Sequence, residues 1–162
     1  MARLWVKTVS FDSISVGDQL PILVKWDTQE SIDQFAELAL SNQWSEQCSL
    51  DPDKESVERG VLGGTVVSGP SIVAYVAELL EKAFPIANIL ARGSRLEVRA
   101  IGPVRPDDTV TFTGEVVGKW EEGSLRLVEC AIIGENQEGQ AVARAMAVVS
   151  LQVSADCADY TD

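Results

Sequence analysis

The sequence predicts an α+β fold in which an antiparallel sheet wraps around one buried central helix. The first observation is the segment 60–84, GVLGGTVVSGPSIVAYVAELLEKAF, which is apolar around most of its helical surface and must therefore be enclosed by other elements. The second is the change to a period of two after Pro85, where apolar and polar residues alternate along successive segments. Four consecutive strands joined by hairpin links, after a buried helix, give a meander that encloses that helix.

The composition indicates a single domain over residues 1–153, followed by a short tail, 154–162, that we expect to be disordered. The net charge of -12 argues against nucleic acid or an anionic membrane surface as the main partner. The chain contains neither an 18-residue apolar run nor a signal-peptide pattern, so we expect a cytoplasmic protein.

Histidine is absent from the chain, which removes the commonest general base and the commonest metal ligand. Ser-His-Asp chemistry, Cys-His chemistry and histidine-based zinc sites are therefore excluded, and we expect neither a metal nor a cofactor. The cysteines Cys48, Cys130 and Cys157 are odd in number and lack any C-x-x-C spacing, so reduced thiols are expected.

The first part of the chain is predicted to hold a short edge strand within 4–11 and a turn at 16–19, followed by the apolar run 20–26. Asp27 or Thr28 is expected to cap a helix that ends near Ser41. Apolar residues recur in this helix at i, i+3, i+4 and i+7, so it is amphipathic and packs on a surface. The polar stretch 42–59 is interpreted as a loop.

The central helix is predicted to begin at Gly69-Pro70-Ser71, because a proline in the first turn loses no hydrogen bond and has a helical φ. Free backbone N–H groups at this end attract negative charge, whether a bound anion or an oxyanion that develops in a reaction. Ser68 is expected to cap the helix rather than point into a pocket. The buried Tyr75 hydroxyl must find a partner, either a core hydrogen bond or a ligand.

After the central helix, the alternation predicts a half-buried strand from Leu96 to Ala100 that is closed by Gly102-Pro103. A turn is expected at 105–108 and hairpin turns are expected at 121–123 and 135–140. These turns separate the remaining predicted strands, which are 110–116, 125–132 and 141–153.

This order of parts resembles the hotdog fold over residues 10–153, and the local sequences resemble its MaoC-like branch of (R)-specific enoyl-CoA hydratases and 3-hydroxyacyl-thioester dehydratases. Four stretches carry the resemblance, namely 11–18 (FDSISVGD), 28–41, 63–69 (GGTVVSG) and 103–110 (PVRPDDTV). It implies a homodimer, or a heterodimer with a related hotdog chain, in which two sheets join side by side. The acyl chain of a CoA or acyl-carrier-protein thioester would enter at the interface.

The family's chemistry uses an Asp and a His five residues apart in the loop after the amphipathic helix. Aligned from Ser41, these positions fall on Gln43 and Cys48. The glycine whose N–H would bind the thioester oxygen is Gly69, preceded by Ser68. The resemblance therefore implies that the oxyanion glycine is retained and the base is lost.

Each candidate in this loop has a functional and a structural interpretation. Gln43 could orient water but cannot accept a proton near neutral pH, whereas Cys48 would need a depressed pKa to act and is better interpreted as a thiol lodged in the pocket. Glu46 and Asp51 are either substitute bases or solvated carboxylates. Trp44 either anchors the loop or stacks on a ligand. A further set of arginines could meet CoA phosphates or simply be exposed, namely Arg92, Arg95, Arg99 and Arg105.

Three functions remain open on these grounds, all built on binding of an acyl thioester or a related small substrate. The protein could be the non-hydrating subunit of a hydratase or dehydratase heterodimer. It could be a repurposed enzyme that uses Gly69 with Gln43, Cys48, Glu46 or Tyr75 for another reaction. It could also be a non-catalytic binding protein for an apolar ligand.

Overall fold

The computed structural model describes residues 2–41 and 65–151, and it confirms the predicted α+β architecture. Its elements are β1 Leu23–Trp26, α1 Gln29–Ser41, α2 Gly69–Ala83, α3 Ile86–Ile89, β2 Arg95–Ala100, β3 Thr109–Glu122, β4 Leu125–Glu135 and β5 Ala141–Ser150. The strands form one five-stranded antiparallel sheet in the order β1-β3-β4-β5-β2. The predicted tail at 154–162 lies outside the described residues. In the described ranges, no helix is long and apolar enough to cross a membrane.

The sheet order corrects the predicted meander at one point. Strands β3, β4 and β5 are joined by the expected turns, where Gly123 and Gly139 adopt φ angles of 60° and 75°. Strand β2, however, pairs with β5 at the far edge of the sheet and not with β3. The link 101–108 contains Pro103 and Pro106, which cannot donate to a ladder, so the chain leaves β2 instead of turning back along it.

Helix α2 lies on the inner face of the sheet and its buried stripe forms the centre of the core, namely Ile72, Val76, Leu79, Leu80 and Ala83. Ser68 caps the helix as predicted, because its Oγ accepts a hydrogen bond from the Ser71 N–H at 3.3 Å. The predicted packing of this central helix on the sheet is confirmed, although one face of the helix is open to solvent. Val73 retains 43% exposure within this single chain.

Two glycines let bulky core side chains pack closely against the sheet. Gly134 lies directly opposite Phe112, and a Cβ there would come within 2.7 Å of the phenyl ring. Gly114 lies opposite Ile132, and a Cβ there would lie 2.8 Å from Leu20. Any other residue at either position would force the core to shift, because interiors are packed to crystal-like density.

The segment before β1 forms turns instead of the strand predicted within 4–11. Two isolated bridges, Arg3–Gln19 and Gln19–Glu115, and a backbone hydrogen bond from the Val6 N–H to the Lys82 carbonyl hold it to the rest of the fold. The buried Asp18 carboxylate accepts hydrogen bonds from the N–H groups of Ala2 and Ser15 at 2.8 and 2.9 Å. These bonds to the charged form hold the pKa of Asp18 below its usual value. The carboxylate thus ties Ala2 to the turn at 15–18.

Strand β2 is more exposed than the predicted half-buried strand. Its residues Leu96, Val98 and Ala100 face inward, since they lie opposite the inner-face alanines of β5. Nevertheless, Leu96 retains 37% exposure and Ala100 is exposed. The alternation was identified correctly, but an edge strand has a covering neighbour on one side only.

Replacing Val76 with Asp tests the central packing. Val76 is fully buried, so an aspartate there would place an unpaired charge in the apolar core, away from solvent. We therefore expect the free energy of unfolding to fall by about 3 kcal/mol or more. Urea denaturation followed by circular dichroism measures this loss. The matched control is Val24→Asp on the outer face of β1, where Val24 is 55% exposed. Equal losses in the two variants would contradict the packing described here.

Candidate functional site

An open groove of about 520 Å³ lies between the first turns of α2 and the inner face of β2. It is lined by Gly69, Pro70, Ile72, Val73, Val98 and Ala100. No polar or charged side chain is among these described lining residues. The groove therefore offers an apolar surface that begins at the positive end of a helix.

Gly69 is the first residue of α2, and its backbone is open to approach. Among the described residues no acceptor receives its N–H, while the Ser68 hydroxyl is engaged with Ser71. Gly69 is exposed, and a Cβ built on it would meet nothing within 4 Å. The chain thus places one free N–H donor, at a helix N-terminus, beside an apolar groove.

Tyr75 lies on a different side of α2 from the groove. It follows Gly69 by six residues, which turns it about 240° around the helix axis. Its hydroxyl donates a hydrogen bond of 2.6 Å to Asp27, at the end of β1, and its ring packs edge-on against Phe112. Of the two partners considered for this hydroxyl, the structure provides a hydrogen bond within the protein.

The surroundings of Tyr75 keep its phenol protonated. Partial burial is the main reason that the pKa of Tyr75 is raised well above its ordinary range, and the hydrogen bond to the Asp27 carboxylate raises it further. Lys25 pairs with Glu78 and places its Nζ 5.0 Å from the centre of the Tyr75 ring. The group formed by Lys25, Asp27, Tyr75 and Glu78 thus ties α2 to the β1 edge.

The remaining reactive side chains of the described ranges do not line the groove. Cys130 is fully buried on β4, and burial raises the pKa of its thiol to about 12, so it is not a nucleophile at neutral pH. Arg99 pairs with Glu97 at 2.7 Å and Arg95 lies 4.0 Å from Glu129. Arg105 donates to the Thr65 carbonyl at 3.2 Å, and Arg92 is exposed.

The loop candidates Gln43, Trp44, Glu46, Cys48 and Asp51 lie outside the described residues, and their roles stay predictions. Val98 and Ala100 could not be predicted as lining residues from the sequence, because their position depends on β2 forming the sheet edge. Asp27 was expected only as a possible helix cap. Thr28 is the cap, since its Oγ1 accepts from the Ser31 N–H at 3.1 Å, and this leaves the Asp27 carboxylate for Tyr75.

Comparison with known proteins identifies the fold. No protein-family model matches the sequence, and no curated protein sequence matches it either. Solved structures do match: a MaoC-like dehydratase from Rhodospirillum rubrum superposes with a TM-score of 0.67 at 23% identity, over 90% of this chain and 97% of that one. The chain has the hotdog fold.

Two further solved structures also match the chain. The (R)-hydratase from A. caviae involved in PHA biosynthesis matches with a TM-score of 0.60 at 23% identity, over 86% of this chain and 98% of that one. A chain of the ChsH1-ChsH2 complex from Mycobacterium tuberculosis matches with a TM-score of 0.58 at 21% identity, over 85% and 98%. At these identities the likeness concerns the hotdog fold alone, with α2 as its central helix.

Replacing Tyr75 with Phe tests the Tyr75–Asp27 contact. We expect the free energy of unfolding to fall by about 1 kcal/mol, because Asp27 loses a hydrogen-bond donor in a partly buried position. In an absorbance titration the unmodified protein should show a tyrosine that ionises above the ordinary pKa of about 10, and Tyr75→Phe should lack it. The control Tyr160→Phe should retain this component; its loss in the control instead would contradict the assignment.

Proposed function

We propose that this hotdog protein binds an acyl thioester, on CoA or on an acyl-carrier protein, at the N-terminus of α2. The acyl chain lies in the groove and the thioester carbonyl oxygen accepts a hydrogen bond from the Gly69 N–H. The protein does not hydrate enoyl thioesters by the Asp/His mechanism. The observation that carries the proposal is the Gly69 N–H, which has no acceptor among the described residues and lies at the edge of an open, apolar groove.

The groove suits an acyl chain in both size and chemistry. Its volume of about 520 Å³ lies within the range common for small-molecule sites. Its lining is apolar, so each methylene group removed from water contributes about 0.8 kcal/mol. A charged or strongly polar substrate body would find no partner among the described lining residues.

The end of α2 suits the carbonyl oxygen of the thioester. A helix N-terminus carries a partial positive charge and presents N–H donors without intrahelical acceptors. Ser68 satisfies the Ser71 N–H and leaves Gly69 available. Such a donor binds the ground-state carbonyl and stabilises an oxyanion if one develops.

The described residues that line the groove include no base. The chain contains no histidine. We assign Gln43 and Cys48 to the positions where the MaoC-like family, which the chain resembles, carries Asp and His. Within the described ranges, the nearest candidate for proton transfer on α2 is Tyr75, and it donates to Asp27 on another side of the helix. A carboxamide cannot accept a proton near neutral pH, and a chain without histidine has no imidazole to deprotonate a thiol, so we expect the site to bind and polarise a carbonyl without activating water.

Two classes of function use such a site. The first is a non-hydrating subunit that binds the acyl chain beside a related hotdog chain with an intact pair, and the open edge of β2 supports a paired assembly. The second is a repurposed enzyme that uses Gly69 with Gln43, Cys48, Glu46 or Asp51. A non-catalytic binding protein for an apolar ligand is a further candidate, because the lining of the groove is apolar.

The binding test compares the unmodified protein with Gly69→Leu by isothermal titration calorimetry with butyryl-CoA and octanoyl-CoA. Space around Gly69 accepts a side chain without strain, so the variant should fold normally but lose affinity at least about 10-fold, because the leucine obstructs the oxygen site. The control Ala87→Leu adds the same bulk at an exposed position on α3 and should bind as the unmodified protein does. Equal affinity in all three proteins would contradict the proposed site.

The same preparation should hydrate crotonyl-CoA poorly or not at all. General acid–base catalysis contributes about 10²- to 10⁴-fold, so an oxyanion site without a base leaves only a small residual rate. The decrease in enoyl absorbance measures turnover directly. Turnover on the order of 10 per second or more, ordinary for an enzyme, would show that another group has taken over as base.

A further inference from the structure

The groove has a direction, because β2 runs opposite to α2. The Val67 N–H donates to the Val104 carbonyl at 2.9 Å, so the chain that enters α2 lies beside the chain that leaves β2. At the other end, the Ser94 hydroxyl donates to the Asn88 carbonyl at 2.7 Å, so the chain that enters β2 lies beside α3. The last residues of β2 therefore lie toward the N-terminus of α2, and its first residues lie toward the C-terminus of α2.

The side chains that line the groove become larger with distance from the N-terminus of α2. At that end the lining consists of Gly69 on the helix and Ala100 on β2, which have no side chain larger than a methyl group. One turn further along α2, about 6 Å away, the lining residue is Val73. Two residues back along β2, about 7 Å from Ala100, it is Val98. Branched side chains thus replace glycine and alanine on both walls over the same distance.

Val76 marks the closed end of the groove. It follows Ile72 and Val73 by four and three residues, so its side chain comes next along the same face of α2. Ile72 and Val73 line the groove, whereas Val76 does not line it and has an exposed fraction of 0%. The core therefore fills the space between α2 and the sheet at Val76.

The distance from Gly69 to Val76 limits the length of an acyl chain that the groove can bury. Seven residues advance about 10 Å along a helix axis, and the contact between the last carbon of the chain and the valine takes up about 4 Å of this distance. The remaining length of about 6 Å accommodates about five bonds of an extended chain, at roughly 1.2 Å per bond.

We infer that the groove selects short acyl chains, in which about five further carbons follow the carbonyl carbon, and that Val76 limits the length of these chains. The inference rests on the proposed function, since it names the class of acyl chain that the same site takes. The groove is open along one side, so its closed end, and not its volume, sets this limit.

Carbons beyond this limit gain nothing from the groove. They leave it on the open side, past Val73, which is 43% exposed, and they stay in contact with water. Each methylene group that is removed from water tightens binding about 4-fold. Affinity therefore rises with chain length until the closed end is reached, and then it levels off.

A series of butyryl-, hexanoyl- and octanoyl-CoA tests the limit by isothermal titration calorimetry. In the unmodified protein, hexanoyl-CoA should bind about 10-fold more tightly than butyryl-CoA, because two more methylene groups are buried. Octanoyl-CoA should bind within about 3-fold of hexanoyl-CoA, because its last two carbons stay in water.

Two variants should move the limit in opposite directions. Val98→Phe places a larger side chain in the groove, so hexanoyl-CoA should lose its advantage over butyryl-CoA. The control Val117→Phe makes the same exchange at an exposed position on β3 and should keep the unmodified profile. Val76→Ala removes two methyl groups at the closed end, so octanoyl-CoA should bind about 5-fold more tightly than hexanoyl-CoA. The control Val128→Ala makes the same truncation at a fully buried position on β4 and should leave the two affinities within about 3-fold of each other.

The outcomes separate this inference from the proposed function. In the unmodified protein, affinity that rises as steeply from hexanoyl- to octanoyl-CoA as from butyryl- to hexanoyl-CoA would overturn the inference and leave the proposed site intact. An unmodified profile in Val98→Phe, or in Val76→Ala that is folded by circular dichroism, would do the same. Failure of all three thioesters to bind the unmodified protein would overturn the proposed function, and the inference with it.

Discussion

The packing of α2 on the inner face of the sheet is the constraint from which the other features follow. Val76 and Leu79 are fully buried against residues of the sheet, and Phe112 occupies the same core because Gly134 opposite it has no side chain. This packing fixes the rotation of α2 about its axis and its position on the sheet. It therefore determines which residues of the first turns of α2 face β2 and line the groove.

The side of α2 that faces β2 and the side that faces β1 carry different kinds of residues. Toward β2 the helix presents Gly69, Pro70 and apolar side chains. Toward β1 it presents Tyr75 and Glu78, which bond to Asp27 and Lys25. The polar contacts hold the helix to the β1 edge of the sheet, and the space between the helix and the inner face of β2 is lined by apolar residues. In a chain without histidine, this division supports binding and carbonyl polarisation more readily than proton transfer.

Features that depend on neighbouring residues were predictable from the sequence, and those that depend on distant pairing were not. Pro70 and Ser68 indicated where α2 begins because a cap and a first-turn proline act within a few residues. The alternation around Val98 indicated a strand, yet it could not reveal that β2 lies at an edge beside β5. Similarly, the apolar residues within 4–11 suggested a strand, whereas the segment forms a turn in which the Thr8 and Val9 N–H groups donate to the Trp5 carbonyl. At the candidate site, Gly69 was identified from the resemblance. The lining residues on β2 could be identified only once the order of the strands in the sheet was known.

The most direct test of the proposed site is a crystal structure of the protein with a non-hydrolysable acyl-CoA analogue in which a methylene group replaces the thioester sulfur. We expect the carbonyl oxygen at hydrogen-bond distance, about 3 Å, from the Gly69 nitrogen, with the acyl chain against Val98 and Ala100. An analogue bound against Tyr75 and Asp27, or one whose carbonyl lies away from Gly69, would contradict it.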